Sequence, residues 1–404
     1  MRMVIMEVIS KEMQRLLATG STLRAMFEEG KRMVKEYGAE NVFDFSLGNP
    51  SVPTPAAMNA SMINVINKTD SMTLHGYMSN AGYEQSRQAV ADNLNKRFGT
   101  SFSAKNITMT VGAANALVIA IKILTNPDDE VIVFAPFFLE YRNYISNFGA
   151  KTVVVPPNPP TFMPDMEAFA AAITPRTRAV IIDNPNNPSG VVYDEETIRK
   201  MAAVMEAKQK EYGTSIFLLS DEPYREIVYD GVEVPFLTKY YENTLVAYSF
   251  SKAMSVPGER IGYLVIPDEA EESEQIIAAS SIGIRVLGCV NAPSLQQLAI
   301  IDAIDDLCDV SEYDKNRKLL MEILDEAGFE YAKPQGTFYL FMKTPVEDDH
   351  AFVAKAKNEY QLLLSAGSAF DCPGWLRIAY CVPYDRIARA RSRFVALGHD
   401  FGLN

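Results

Sequence analysis

Residues 179–190 read Ala-Val-Ile-Ile-Asp-Asn-Pro-Asn-Asn-Pro-Ser-Gly, and residues 216–224 read Ile-Phe-Leu-Leu-Ser-Asp-Glu-Pro-Tyr. Each opens as a short apolar run and breaks abruptly into polar and turn-forming residues. Such a run, bounded by turn signals, suits a buried strand better than a helix. Between the two lies Glu195–Glu211, which reads as a helix. Strand, helix, strand implies a crossover and parallel pairing, and a parallel sheet needs both faces covered.

The same grammar repeats outward. Apolar runs at Ile107–Val111, Val131–Phe134, Thr152–Val155, Leu245–Ser249 and Ile261–Ile266 join those at Ala179–Asp183 and Ile216–Ser220, with helical stretches such as Ala114–Leu124 between most of them. The expected fold is α/β, a seven-stranded, mostly parallel sheet with helices on both faces. After about Pro293 the pattern changes. A long helical region over Ser294–Gly328 precedes a strand near Phe338–Met342, a helix near Ala351–Tyr360 and a strand near Leu376–Ala379, as in a smaller α+β domain. Residues 10–40 read as helical from Met13, Leu16, Leu17, Met26, Met33 and Val34, and the chain turns loop-like from Asn41 to Pro55. The expected division is residues 1–45 as an N-terminal segment packing with the small domain, 46–292 as a large ligand-binding domain and 293–404 as the small C-terminal domain.

With 404 residues the chain exceeds the ~250–300 at which a single core stops growing, which agrees with two domains. Lys and Arg number 38 against 51 Asp and Glu, a net charge of −13, which argues against nucleic-acid or anionic-membrane partners. A phosphate-bearing ligand stays compatible if positive groups concentrate locally. No apolar stretch reaches the ~20 residues that cross a bilayer, and the opening MRMVIMEVISKEM does not read as a secretory signal. Cys289, Cys308, Cys372 and Cys381 form no C-x-x-C, and a reduced cytoplasm is expected. His75, His350 and His399 lie far apart and match no zinc spacing, so no metal is expected.

In open parallel sheets ligands bind beyond the carboxyl ends of the strands. Four expected strands end on polar or small residues: Gly112-Ala113-Ala114-Asn115, Asn184 through Gly190, Asp221-Glu-Pro-Tyr224, and Phe250-Ser251-Lys252. Singly, each has an ordinary explanation. Small residues open many helices, Asp221 suits a helix cap, Tyr224 suits packing, and Lys252 and Arg260 suit a solvated surface. Gly112-Ala113-Ala114 would still let an anion approach backbone N–H groups at a helix start. No G-x-G-x-x-G occurs, and Gly283-x-x-x-x-Gly288 is followed by Cys289-Val290, so neither dinucleotide nor P-loop signature is present.

In combination, Asn187-Pro-Ser-Gly190, Asp221-Glu-Pro-Tyr224, Ser249-Phe-Ser-Lys252 and Pro257-Gly-Glu-Arg260-Ile-Gly-Tyr263 resemble the class I/II aminotransferases, the pyridoxal-phosphate enzymes of fold type I. The resemblance spans roughly Phe45 to Arg377. It implies the aspartate-aminotransferase-like fold, pyridoxal 5'-phosphate as cofactor and ping-pong amino transfer between an L-amino acid and a 2-oxo acid. Lys252 is implied as the lysine that bonds the cofactor aldehyde and later moves protons, and Asp221 as the acid that keeps the pyridine nitrogen protonated. Tyr224 and Asn187 would bond the ring's phenolic oxygen. Ser249, Ser251, Arg260 and the backbone at Gly112, Ala113 and Ala114 would hold the phosphate, and Phe138 would stack on the ring. Arg377 would grip the substrate α-carboxylate, with Asn187 and Gly48 beside it. Tyr77 would reach the phosphate of the other subunit, which implies a homodimer with shared sites. Arg24 and Arg285 are candidate second cations for a dicarboxylate.

Two other functions fit parts of the pattern. A carbon–sulfur β-lyase or aminocyclopropane-carboxylate-synthase-like enzyme would use nearly the same residues. A cofactor-sensing regulator would carry a basic DNA-binding module ahead of the Gly48 loop, and none is read there.

Overall fold

The computed structural model describes residues 8–19 and 22–403, without the side chains of residues 18–27. Met1 to Glu7 of the N-terminal segment, which include much of the opening read for a signal, therefore lie outside the described residues, as do the side chains of Met26 and Arg24.

The strands, in chain order, are β1 (Phe43–Asp44), β2 (Ile107–Thr110), β3 (Glu130–Phe134), β4 (Lys151–Val155), β5 (Thr177–Asp183), β6 (Phe217–Asp221), β7 (Thr244–Ser249), β8 (Gly262–Val265), β9 (Tyr331–Ala332), β10 (Tyr339–Lys343), β11 (Leu362–Leu363), β12 (Ser365–Ala366) and β13 (Trp375–Ala379). Strands β2 to β8 form one seven-stranded sheet in the order β2-β8-β7-β6-β5-β3-β4. Only β8 runs against its neighbours; β3 to β7 are parallel. All seven expected strands are present, shifted at their ends by a residue or two. Their continuous apolar runs match strands buried on both faces.

Alternate residues along each strand feed two layers. On one face Val131, Val133, Ile181, Leu219 and Leu245 pack against Leu117 and Ile121 of helix Ala113–Leu124 and Ile284 of helix Ser273–Val286. On the other, Ile132, Val180, Ile182 and Leu218 meet Phe169 of helix Met166–Ala172 and Ile198, Met201 and Met205 of helix Glu195–Tyr212. Further along that sheet, Met109, Val246 and Val265 are covered by Met58, Leu94 and Ile300 of helices Ala56–Lys68, Glu84–Phe98 and Ser294–Ala303.

The expected helical region over Ser294–Gly328 is two helices, not one. Ser294–Ala303 lies on the large sheet, whereas Ser311–Glu326 joins a second core with Phe338, Leu340, Leu376 and helix Tyr384–Asp400. That core backs the antiparallel sheet β12-β13-β10-β9. The N-terminal stretch reaches the same region, because β1 pairs in parallel with β11 and Glu29 bridges Lys357 at 2.8 Å. Among the described residues no helix is long and apolar enough to cross a membrane.

Arg317 joins the second core to the segment following β6. Its guanidinium donates to Asp230 Oδ1 at 2.8 Å, Asp230 Oδ2 at 3.0 Å and the Pro334 carbonyl at 2.9 Å. It also lies 4.5 Å from the Tyr229 ring centroid. Tyr229 in turn donates to the Thr337 carbonyl at 2.5 Å, which fixes the turn leading into β10. Arg317→Ala should lower stability by about 2–4 kcal/mol, below a fully buried pair because Asp230 stays exposed to water. A denaturant midpoint equal to that of the parent protein would remove Arg317 from this role.

Candidate active site

Strand direction places the ends of β5, β6 and β7 on one edge of the large sheet, so Asp183, Asp221 and Ser249 terminate side by side. A second reversal through β8 brings the end of β2, and with it Gly112, to the same edge. A cleft of about 800 Å³ opens there. Its lining includes Gly48, Ala113, Ala114, Phe138, Asn187, Asp221, Tyr224, Ser249, Ser251, Lys252, Arg260 and Arg377. Twelve residues selected from separate segments of sequence therefore meet in one cavity.

Lys252 sits in the short helix Phe250–Ala253 that β7 runs into, and Ser249 caps that helix by accepting from the Ser251 amide at 3.1 Å. Its amine donates to the Gly48 carbonyl at 3.0 Å. Burial pushes the Lys252 amine down to about 8, Arg260 and Arg377 add to that fall, and the Cys381 thiol opposes it. Gly48 approaches closely because a Cβ there would lie 1.7 Å from the Tyr339 hydroxyl, so a side chain at this position would displace Tyr339.

Asp221 is the last residue of β6 and accepts from the Tyr141 hydroxyl at 2.6 Å. Burial raises its proton affinity, the Tyr141 hydrogen bond opposes the rise, and Glu222 adds to it. Its other oxygen, Oδ1, is buried and has no partner among the described residues. An unused acceptor on a buried acid can meet a cationic N–H of a ligand.

Two arginines complete the charge pattern. Arg260 rests on backbone, donating to Val111 O and Pro257 O, both at 3.1 Å. Gly112, at φ 82, caps helix Ala113–Leu124, and a Cβ there would come within 2.9 Å of Arg260 Nη2. A guanidinium beside the start of a twelve-residue helix, with the hydroxyls of Ser249 and Ser251 nearby, is a phosphate-type site. Arg377 is 2% exposed, donating to Asn187 Oδ1 at 3.0 Å and Ser46 O at 2.7 Å. Its Nε has no partner, and no described carboxylate lies in salt-bridge range of Arg260, Arg377 or Lys252. Cations held only by neutral acceptors, Arg377 buried, Lys252 partly buried and Arg260 exposed, leave charge available for an anion.

Tyr224 and Tyr339 face each other, hydroxyl to hydroxyl, at 3.1 Å. Phe138 lines the cleft, with Tyr141 edge-on to it at 5.7 Å. Tyr77 stands apart. It is 95% exposed, beside a separate cavity of about 500 Å³ shared with Met72 and Arg87. Arg285 is exposed on helix Ser273–Val286 and does not line the cleft. Asp183, Tyr144 and Tyr339 line the cleft and were not singled out from sequence. Asp183 read as a strand end and Tyr339 as one more aromatic in a strand; only the pairing of β5 with β6 reveals the first.

The family model for aminotransferases of class I and II matches residues 40–394. The aspartate aminotransferase of Thermotoga maritima is 29% identical over 371 residues, covering 90% of this chain and 93% of that one. The crystal structure of an amino transferase from Eubacterium rectale superposes with a TM-score of 0.95 at 45% identity, covering 98% of this chain and 100% of the other. The Thermus thermophilus aspartate aminotransferase with maleate gives 0.85 at 25% identity, covering 97% and 100%.

In the ligand-free protein the Lys252 amine should react with an acylating reagent half-maximally near pH 8, because only the neutral amine is nucleophilic. Peptide mapping across pH checks this. A midpoint near the ordinary lysine value of ~10.4 would show that the cleft leaves the amine unperturbed.

Proposed function

The chain belongs to the class I and II aminotransferase family, and from that premise we propose that it transfers an amino group between an L-amino acid and a 2-oxo acid with pyridoxal 5'-phosphate as its cofactor. The observation that carries this reading is the meeting, in one cleft, of an amine of lowered proton affinity, a buried acid with a free oxygen and a buried arginine without a counter-ion. When bound, the cofactor supplies an aldehyde that captures amines and a ring that takes up electron density from the substrate α-carbon.

The residues present fit that group. Arg260, Ser249, Ser251 and the first turn of helix Ala113–Leu124 suit its phosphate. Asp221 Oδ1 suits its ring nitrogen, Phe138 its face, and Tyr224 with Asn187 its phenolic oxygen. Lys252, neutral above about pH 8, would hold the aldehyde carbon through its amine, with loss of water, and once freed that amine would take the substrate α-proton and pass it on. Arg377 holds the substrate carboxylate, and its bond to Asn187 Oδ1 ties that grip to a cofactor contact. Gly48, whose carbonyl accepts from Lys252, leaves room for the carboxylate.

In the same reading, residues 46–292 are the cofactor-binding domain together with helix Ser294–Ala303, which lies on the large sheet and moves the expected boundary past it. The rest of 293–404 is the smaller domain, and 1–45 is a segment packed with it. Two such chains form a homodimer in which Tyr77 serves the partner's site. Support for this comes from Met72, 80% exposed, and Ile63, Ile66, Ile282 and Val286, each more than half exposed. The free thiols of Cys289, Cys308, Cys372 and Cys381 support a cytoplasmic location.

Incubation with an amino acid and 2-oxoglutarate should yield glutamate. Pyruvate and ammonia without an acceptor would instead mark a β-lyase. Lys252→Ala should remove the bound-cofactor absorbance and borohydride trapping and cut turnover by orders of magnitude; unchanged turnover would take Lys252 out of the reaction. Arg377→Ala should reduce kcat/KM for amino-acid substrates by the equivalent of about 2–5 kcal/mol, the loss on truncating one member of a buried charge pair. An unaltered kcat/KM would move the carboxylate grip elsewhere.

A further inference from the structure

β5 and β6 are in register such that the Cα of Asp183 pairs with that of Asp221. In a parallel pair such partners lie roughly 5 Å apart with their side chains on the same face. Both acids are 5% exposed, and both line the cleft. Asp183 Oδ2 accepts from the Asn187 amide at 2.8 Å, as Asp221 Oδ2 accepts from Tyr141. The remaining oxygen of each, Oδ1, is buried without a partner among the described residues.

We propose that Asp183 is a positioning residue acting through Asp221: the two acids share one negative charge, and Asp183 keeps its proton so that Asp221 alone ionises against a cationic ring nitrogen. The inference rests on the cofactor reading above. Two carboxylates this close and shielded from water cannot both be charged. One must hold a proton, and the choice depends on what lies against the other. With a cation against Asp221, the proton stays on Asp183. Without it, the pair retains protons to higher pH than a lone acid would. Only at alkaline pH, where Asp183 finally gives up its proton, does it become charged, and its charge then strengthens the hold of Asp221 on the proton shared with the ring nitrogen.

The surrounding groups agree. Tyr141, Tyr193, Tyr224 and Tyr339 lie close enough to Asp183 that its ionised form would raise them, and Tyr141 and Tyr144 are raised by Asp221. Burial pushes all five phenols up, so they stay neutral. Glu222 adds further negative charge next to Asp221, although it is itself paired with Arg225. Burial and Asp221 together push the Asp183 carboxyl well above the usual carboxylate range, and the Asn187 amide opposes this.

The test uses infrared spectroscopy of protein carrying carboxyl-labelled aspartate, without and with pyridoxal phosphate. At pH 7.5 the parent protein should show the carbonyl band of a protonated aspartic acid that persists on cofactor binding, and Asp183→Asn should lose it. That variant keeps an acceptor for the Asn187 amide. The alkaline limb of its cofactor-binding curve should also move down by about one pH unit, a tenfold weaker hold on the proton. Absence of the band in the parent protein overturns the inference even if the variant does not fold. A binding curve that keeps its pH midpoint, whether or not binding weakens uniformly, also overturns it. A parent protein that binds no cofactor at any pH overturns the functional reading and, with it, this role.

Discussion

A guanidinium with no acid beside it stands where three segments of chain meet. Arg377 belongs to β13, and its two donor groups reach Asn187, past the end of β5, and Ser46, past β1. Burying a cation costs several kcal/mol unless something replaces its water. Here two neutral oxygens replace part of it, and the rings of Tyr339 and Phe370, 4.4 and 4.9 Å from the guanidinium, add cation–π attraction. The small sheet, the loop beyond the large sheet and the N-terminal loop are thus held to one another through a charge that is still incompletely satisfied. A carboxylate entering the cleft would complete it, and on the proposed function substrate binding and the seating of the small sheet would then be one interaction.

The rest of the cleft follows the same separation of charge. Among the described residues, Lys252, Arg260 and Arg377 have no acid partner and Asp183 and Asp221 no cation partner. Letting these groups neutralise one another would be cheaper for folding. The fold prevents it by placing the acids on strand ends and the cations on a helix, a loop and a second sheet. Fixed charges that cannot relax onto each other are what a preorganised site consists of, since they meet the ligand without first being pulled from a partner. The ligand of the proposed function, with a phosphate at one end, a protonated ring nitrogen at the other and a carbonyl between them, would meet each group with its complement.

How much of this was legible beforehand depended on the range of the interaction. The seven large-sheet strands were legible because strands buried on both faces are apolar without interruption. The helices Ala56–Lys68 and Glu84–Phe98 were not, for each mixes polar residues through its buried face; Glu84–Phe98 buries Ser86 and Asn93 beside Val90 and Leu94. The break between Ser294–Ala303 and Ser311–Glu326 was missed because the two helices serve different cores, and nothing local says which. Residues in the cleft that lie within short ordered motifs, such as Lys252, Asp221 and Asn187, could be read from the chain. Tyr339 could not, because its importance comes from Tyr224, Gly48 and Arg377, each far away in sequence.

Asp183 shows most clearly why pairing matters. Nothing in Ile-Ile-Asp-Asn-Pro separates a strand-ending acid that caps a turn from one that shares a charge. Register decides it: β6 is parallel to β5 and aligned so that Asp221 is its partner. Rotamer changes offer little escape, since one oxygen of each acid is already held, by the Asn187 amide and the Tyr141 hydroxyl. Two acids fixed in this way work against folding at neutral pH unless one keeps its proton. Local rules of stability are broken mainly where function requires it. The edge of the sheet is where a ring nitrogen can use an acid of raised proton affinity, and the apolar layers on both faces supply the stability that allows the exception.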